Sequence, residues 1–241
     1  MKTNQEHIAS HPHKNKSEKG NALIYVLIAI GLFAALSFTL SRQTSTGSGE
    51  QIDTDRQQLY ATQMISTASQ LKSAIDQMLF SGSSIADLNF TLPGDTNFET
   101  GSHIHKVYHP LGGGITPPQL ASYAIDQTDT DPVAGWYMGS FNNIDWTESA
   151  GNDVILVAYQ IPETMCGLIN EKITGSTTIP ALVSASLREV FIDGSIYSGA
   201  NSELTTSTSG DICEECNNMA SLCVSNPSGS MYAFYTVVAD Q

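Results

Sequence analysis

Between Ala22 and Leu40 the chain reads ALIYVLIAIGLFAALSFTL, a 19-residue stretch that is almost wholly apolar and carries no charge. A helix of that length spans roughly 28 Å at ~1.5 Å per residue, close to the ~30 Å hydrocarbon thickness of a bilayer. Such a helix pairs its own backbone groups and presents only side chains to lipid. Residues 44–50 (TSTGSGE) then introduce two glycines, which weaken or end a helix. From about Glu50 to Phe80 the pattern becomes periodic. Tyr60, Met64, Ala68, Leu71, Ile75 and Met78 are spaced by three or four, which puts them on one stripe. Asp55, Ser66, Ser69, Ser73, Asp76 and Gln77 fall on the other side, and Gly82 in Ser81-Gly82-Ser83 is placed to cap the end.

Beyond Ser83 the periodicity is lost. Residues 83–150 break into short apolar patches between turn signals such as Pro93-Gly94, Gly112-Gly113-Gly114 and Pro117-Pro118. Two later runs, Val154–Ile161 and Met231–Ala239, are rich in β-branched and aromatic residues and predict buried strands. Pro162 to Lys172 suits a short helix with proline in its first turn. Ile179–Ile192 is a further apolar stretch, and the Ser/Thr-rich 202–210 predicts a surface loop. The expected fold class is α+β. A long N-terminal helix, membrane half then amphipathic half, packs on an antiparallel β-sheet head with long loops. The divisions are residues 1–20, the helical 21–80 and a globular 81–241, and a body of that size can bury a real core.

Charge sets the orientation. Lys2, Lys14, Lys16 and Lys19 precede the apolar run and only Arg42 follows it closely, so the N-terminus stays cytoplasmic and the body is exported. A cleaved signal peptide would have a shorter apolar core and a small-residue cleavage site, and Ser41-Arg42-Gln43-Thr44 is a poor one. The formal charge is −14, and dropping residues 1–20 takes it to −16. A body so acidic repels nucleic acid and anionic headgroups.

Cys166, Cys213, Cys216 and Cys223 suit an oxidising compartment. Four cysteines allow three pairings, and a Cys-x-x-Cys beside a third cysteine also suits zinc. Disulfides are the preferred reading, because Cys166 sits alone about fifty residues upstream. Cys166–Cys223 would close a long loop, for ~4 kcal/mol in the chain-entropy account, with Cys213–Cys216 as a local bridge.

Lys19-Gly20, then Asn21-Ala22-Leu23-Ile24-Tyr25-Val26-Leu27-Ile28-Ala29-Ile30, then an amphipathic helix leading into a β-rich head, resembles the type IV pilins and type II secretion pseudopilins. The resemblance covers residues 15–80 by motif and the remainder by architecture. It implies a pilin-like fold and cleavage after Gly20 by a prepilin peptidase at the cytoplasmic face. Residues 1–20 are then a leader peptide and Asn21 a methylated mature N-terminus. It also implies a single-pass protein of a bacterial inner membrane, with its head periplasmic or displayed on a filament. Its partners would be other pilin-like subunits and the inner-membrane assembly machinery, with no nucleic acid. Ala22 to Leu40 would carry anchoring and assembly. Family members usually begin with Phe or Met and carry Glu at the fifth position, whereas this chain has Asn21 and Tyr25. In the family that carboxylate meets the amine of a neighbouring subunit, so Tyr25 points to a minor or specialised subunit. The competing assignment is a signal-anchored periplasmic or surface binding domain that does not polymerise.

Candidate chemistry is sparse. His103, His105 and His109 cluster as H-I-H-K-V-Y-H, and alternating imidazoles can hold metal, although a loop of exposed histidines is commoner. Asp126, Asp129 and Asp131 offer oxygen ligands of the kind calcium uses, and major pseudopilins hold calcium in a head loop. The EF-hand spacing is missing, and a solvated turn is the simpler reading. No cofactor is expected, with calcium at this loop as the alternative. Ser69-Gln-Leu-Lys72 matches S-x-x-K without any partner motif. There is no phosphate loop, dinucleotide fingerprint or H-E-x-x-H, and the chain is expected to be non-catalytic. Trp136, Tyr137, Phe141 and Trp146 gather within eleven residues and read as packing rather than a ligand platform.

Overall fold

The structure, a computed structural model, describes residues 21–45, 48–130, 132–144, 147, 151, 153–192 and 213–240, with only the backbone of helical residues 21–23, 40–45 and 48–54 described. Gly20, Asp131, Trp146 and the expected loop 202–210 lie outside the described residues, as do the side chains of Asn21, Ala22 and Leu40. The chain divides into two compact units, Met1–Asp53 and Thr54–Gln241.

The first unit contains helix α1 (Asn21–Ser45). All ten large apolar side chains from Ile24 to Phe38 are more than half exposed. Among the described residues, no helix is long and apolar enough to cross a membrane. The described side chains of α1 run from Ile24 to Thr39, so both ends of the expected span Ala22–Leu40 fall outside them.

Helix α2 (Ser48–Phe80) enters the second unit at Thr54. All six residues of the predicted stripe are buried, and the polar set Asp55, Ser66, Ser69, Ser73, Asp76 and Gln77 is exposed. The helix ends as predicted around Gly82 (φ 104°). Ser83 N–H donates to Met78 O at 3.0 Å and Gly82 N–H to Leu79 O at 3.0 Å, the paired bonds of a Schellman motif. The stripe from Tyr60 to Met78 is part of the head's own core.

The second unit is α+β. Strands β1 (Gly135–Asn142), β2 (Asp153–Ile161), β3 (Ser221–Ser225) and β4 (Tyr232–Ala239) form an antiparallel sheet in the order β1-β2-β4-β3. β2 and β4, the two runs legible in the sequence, are the central pair and are buried along their whole length. On one face Val154, Leu156, Ala158, Ile161, Phe234 and Val238 pack with the α2 stripe and with Met165 and Ile169 of helix α3 (Glu163–Thr174). On the other, Ile155, Val157, Tyr159, Ala233, Tyr235 and Val237 meet Leu187, Val190 and Phe191 of helix α4 (Leu187–Phe191). The apolar stretch 179–192 thus supplies a cover for the second face. A capping box from Ser186 and Glu189 starts α4.

Each face carries a disulfide. Cys166 bonds Cys223 across α3 and β3, and Cys213 bonds Cys216 beneath the second face. These are the two bridges favoured by the loop-entropy argument. β3 is an edge strand, and side-chain and loop groups occupy its outer backbone. Asn170 Oδ1 accepts from Cys223 N–H at 2.8 Å while its Nδ2 donates to Cys223 O at 2.8 Å. Ser225 N–H donates to Pro180 O at 2.8 Å and its carbonyl accepts from Leu182 N–H at 2.9 Å. Unpaired edges invite non-native pairing, and these bonds block it here.

Candidate functional site

The segment 97–114 brings together a buried lysine, Lys106, and the group Glu99, His103 and His109. Val107 N–H donates to Asn89 O, and Asn89 N–H to His105 O, both at 2.9 Å, which ties the segment to the chain following α2. The triple glycine closes it: Gly112 and Gly114 N–H both donate to His109 O, and Gly113 N–H to Lys106 O. A Cβ at Gly112 would sit 2.1 Å from Lys106 O and 2.6 Å from His103 O, so only glycine fits there.

Inside this loop lies a buried cation. Lys106 is 2% exposed, and its Nζ donates to the carbonyl oxygens of Asn97 (2.7 Å), Phe98 (2.6 Å) and Thr100. A buried ammonium is tolerated only when its protons are met, and three backbone dipoles meet all three here.

The histidines separate. His105 leaves the cluster, and its Nδ1 lies 2.9 Å from Ser83 Oγ at the end of α2. His103 and His109 stack, with ring centroids 4.1 Å apart and planes 8° from parallel. His109 is 7% exposed; its Nδ1 accepts from Leu111 N–H at 3.1 Å, so the neutral ring carries its proton on Nε2. That nitrogen lies 3.7 Å from Glu99 Oε2. His103 Nδ1 is buried without a hydrogen-bond partner among the described residues. Glu99, His103 and His109 each place one ligand atom within 4.8 Å of the others. Glu99 was missed in the sequence, since nothing in a ten-residue gap signals that a turn returns His109 to it.

The aspartate loop has a different organiser. Gln160 is fully buried, in a left-handed conformation (φ 59°) at the β2 bulge. Its Oε1 accepts from Thr128 N–H (2.6 Å) and Asp129 N–H (2.8 Å), and its Nε2 donates to Asp129 O and Pro132 O, both at 2.9 Å. Asp126 and Asp129 are exposed. The carboxamide thus ties Thr128, Asp129 and Pro132 to β2 through four backbone groups.

Ser69 Oγ donates to Ile65 O within its own helix at 3.0 Å. Lys72 Nζ donates to Val238 O at 3.0 Å and pairs with Asp76 at 3.4 Å. Neither bonds the other, so the S-x-x-K spacing makes no nucleophile–base pair here. The aromatic group also divides. Trp136 packs edge-on against Phe234 on the α2 face, and Tyr137 against Tyr159 on the α4 face.

Comparison with known protein families, with curated proteins and with solved structures found no match.

Proposed function

We propose that this chain is a non-catalytic pilin-like or pseudopilin-like subunit, of a minor or specialised kind, in a type IV pilus or type II secretion filament. The observation that carries the reading is α1, whose large apolar side chains from Ile24 to Phe38 are more than half exposed. Exposed apolar area of that extent calls for lipid or for like helices of other subunits. The prepilin-type start at Lys19-Gly20-Asn21 names the processing step, and the stripe of α2 supports a helix that runs into the head. On this reading the protein resides in a bacterial inner membrane before extraction, and its disulfides belong to a periplasmic head.

Mass spectrometry of the mature N-terminus tests it. A methylated Asn21 is expected, and Gly20→Ala should block maturation. An intact Met1 and an indifferent Gly20→Ala would instead favour the second reading, a signal-anchored binding domain that does not polymerise. That reading draws on Asn21 and Tyr25, both of which depart from the family pattern.

A further inference from the structure

The proposed filament role assigns no part to the cluster at Glu99, His103 and His109. We propose that these three residues form a site for a borderline divalent metal ion of the zinc class.

Two imidazoles and a carboxylate are the donor set such ions take, with a fourth position left for water or a partner's ligand. Their ligand atoms already lie within 4.8 Å of one another. Tetrahedral zinc at about 2.0–2.1 Å from each donor brings donors to about 3.3 Å. Glu99, with a 77% exposed side chain, can supply much of that closure. His103 contributes the orphaned ring nitrogen, a buried polar atom whose lack of a partner among the described residues calls for an explanation.

Lys106 sets the selectivity. Its ammonium occupies the carbonyl oxygens of residues 97, 98 and 100, the backbone on both sides of Glu99. Calcium needs six to eight oxygen ligands and finds those carbonyls taken, whereas a nitrogen-preferring ion needs none of them.

Two contacts oppose the metal. The rings must splay from their parallel stack, because each lone pair lies in its own ring plane. Leu111 N–H must also release His109 Nδ1, so that the proton now on Nε2 moves to Nδ1 and frees Nε2 as a ligand. A neutral hydrogen bond weakens binding by only about tenfold, which three metal–ligand bonds outweigh.

The test is a zinc titration of the full chain in detergent, with cobalt as a spectroscopic probe, on wild type, Glu99→Gln, His103→Ala and His105→Ala. Wild type should bind one zinc at this site with a Kd of about 10 µM or tighter, raise its Tm on binding, and resist competition by millimolar calcium. Glu99→Gln and His103→Ala should each weaken that event at least tenfold and abolish the Tm rise, while His105→Ala matches wild type. Glu99 is exposed, so its variant retains the fold and keeps the test decisive. If wild type binds no zinc, or if Glu99→Gln and His103→Ala bind it as wild type does, for instance through His7, His11 and His13 near the N-terminus, the proposal is overturned.

Discussion

Lys106 Nζ donates to the carbonyl oxygen of Phe98 at 2.6 Å, and no described carboxylate pairs with that ammonium. The lysine acts as an internal cation around which residues 97–100 are wound. Lys106→Met keeps the stem and removes the charge, leaving three carbonyls without their donor. We expect a loss of about 2–4 kcal/mol in urea unfolding, and a change under 0.5 kcal/mol would remove the lysine's structural role. Gly112→Ala should act on the same loop, since its Cβ meets Lys106 O at 2.1 Å.

Asn170 and the Cys166–Cys223 bridge bind the same helix to the same edge strand. Asn170→Leu strands Cys223 N–H, Cys223 O and Thr178 O, for an expected loss of about 2–4 kcal/mol. Removing the bridge as Cys166→Ser with Cys223→Ser, across a separation of 57 residues, should lose about 4 kcal/mol. Because both hold α3 on β3, the combined variant should lose less than the sum of the two. Strict additivity in a double-mutant cycle would show that they act independently.

Gln160→Glu replaces a buried carboxamide with a group whose ionised form has nothing to donate to Asp129 O and Pro132 O. The N–H groups of Thr128 and Asp129 favour the ionised form, but full burial and the two carbonyls favour the neutral acid, and we expect these to win and raise the carboxyl's folded-state pKa above its unfolded value. The variant should therefore be nearest wild type at acid pH and lose stability as pH rises. A wild-type-like pH profile would contradict the assigned role of the side chain.

Burial raises the hydroxyl pKa of Tyr108 and Tyr235, and burial, with Asp129 and Tyr137 adding to it, pushes Tyr159 to about 12. For a group raised in the folded state, the native protein holds the proton longer than the unfolded chain. Stability is then full below about 10, the unfolded value, and falls as pH climbs towards 12. Alkaline unfolding should coincide with a cooperative rise in tyrosinate absorbance, and Tyr159→Phe should flatten the slope. Gradual, non-cooperative titration of all tyrosines in a folded protein would refute this.

Local pattern determined much of this protein. The stripe from Tyr60 to Met78, the stop at Gly82, the strands near 154–161 and 231–239 and the helix after Pro162 were legible because each depends on neighbours within a few residues. β1 was not legible, since Trp136, Gly139 and Ser140 carry no clean alternation and owe their strand to pairing with β2. Nor was β3, five residues held by β4, Asn170 and a disulfide.

The site divides in the same way. Three histidines within seven residues are visible in the chain, but only the tertiary structure sends His105 to Ser83 and brings Glu99 to the other two. Likewise the aspartates drew attention to residues 126–131, whereas the loop is ordered by Gln160, about thirty residues away. Sequence reads interactions whose partners sit at fixed short spacing. It does not read the long-range closures, such as the turn at Gly112–Gly114, that decide which polar groups meet.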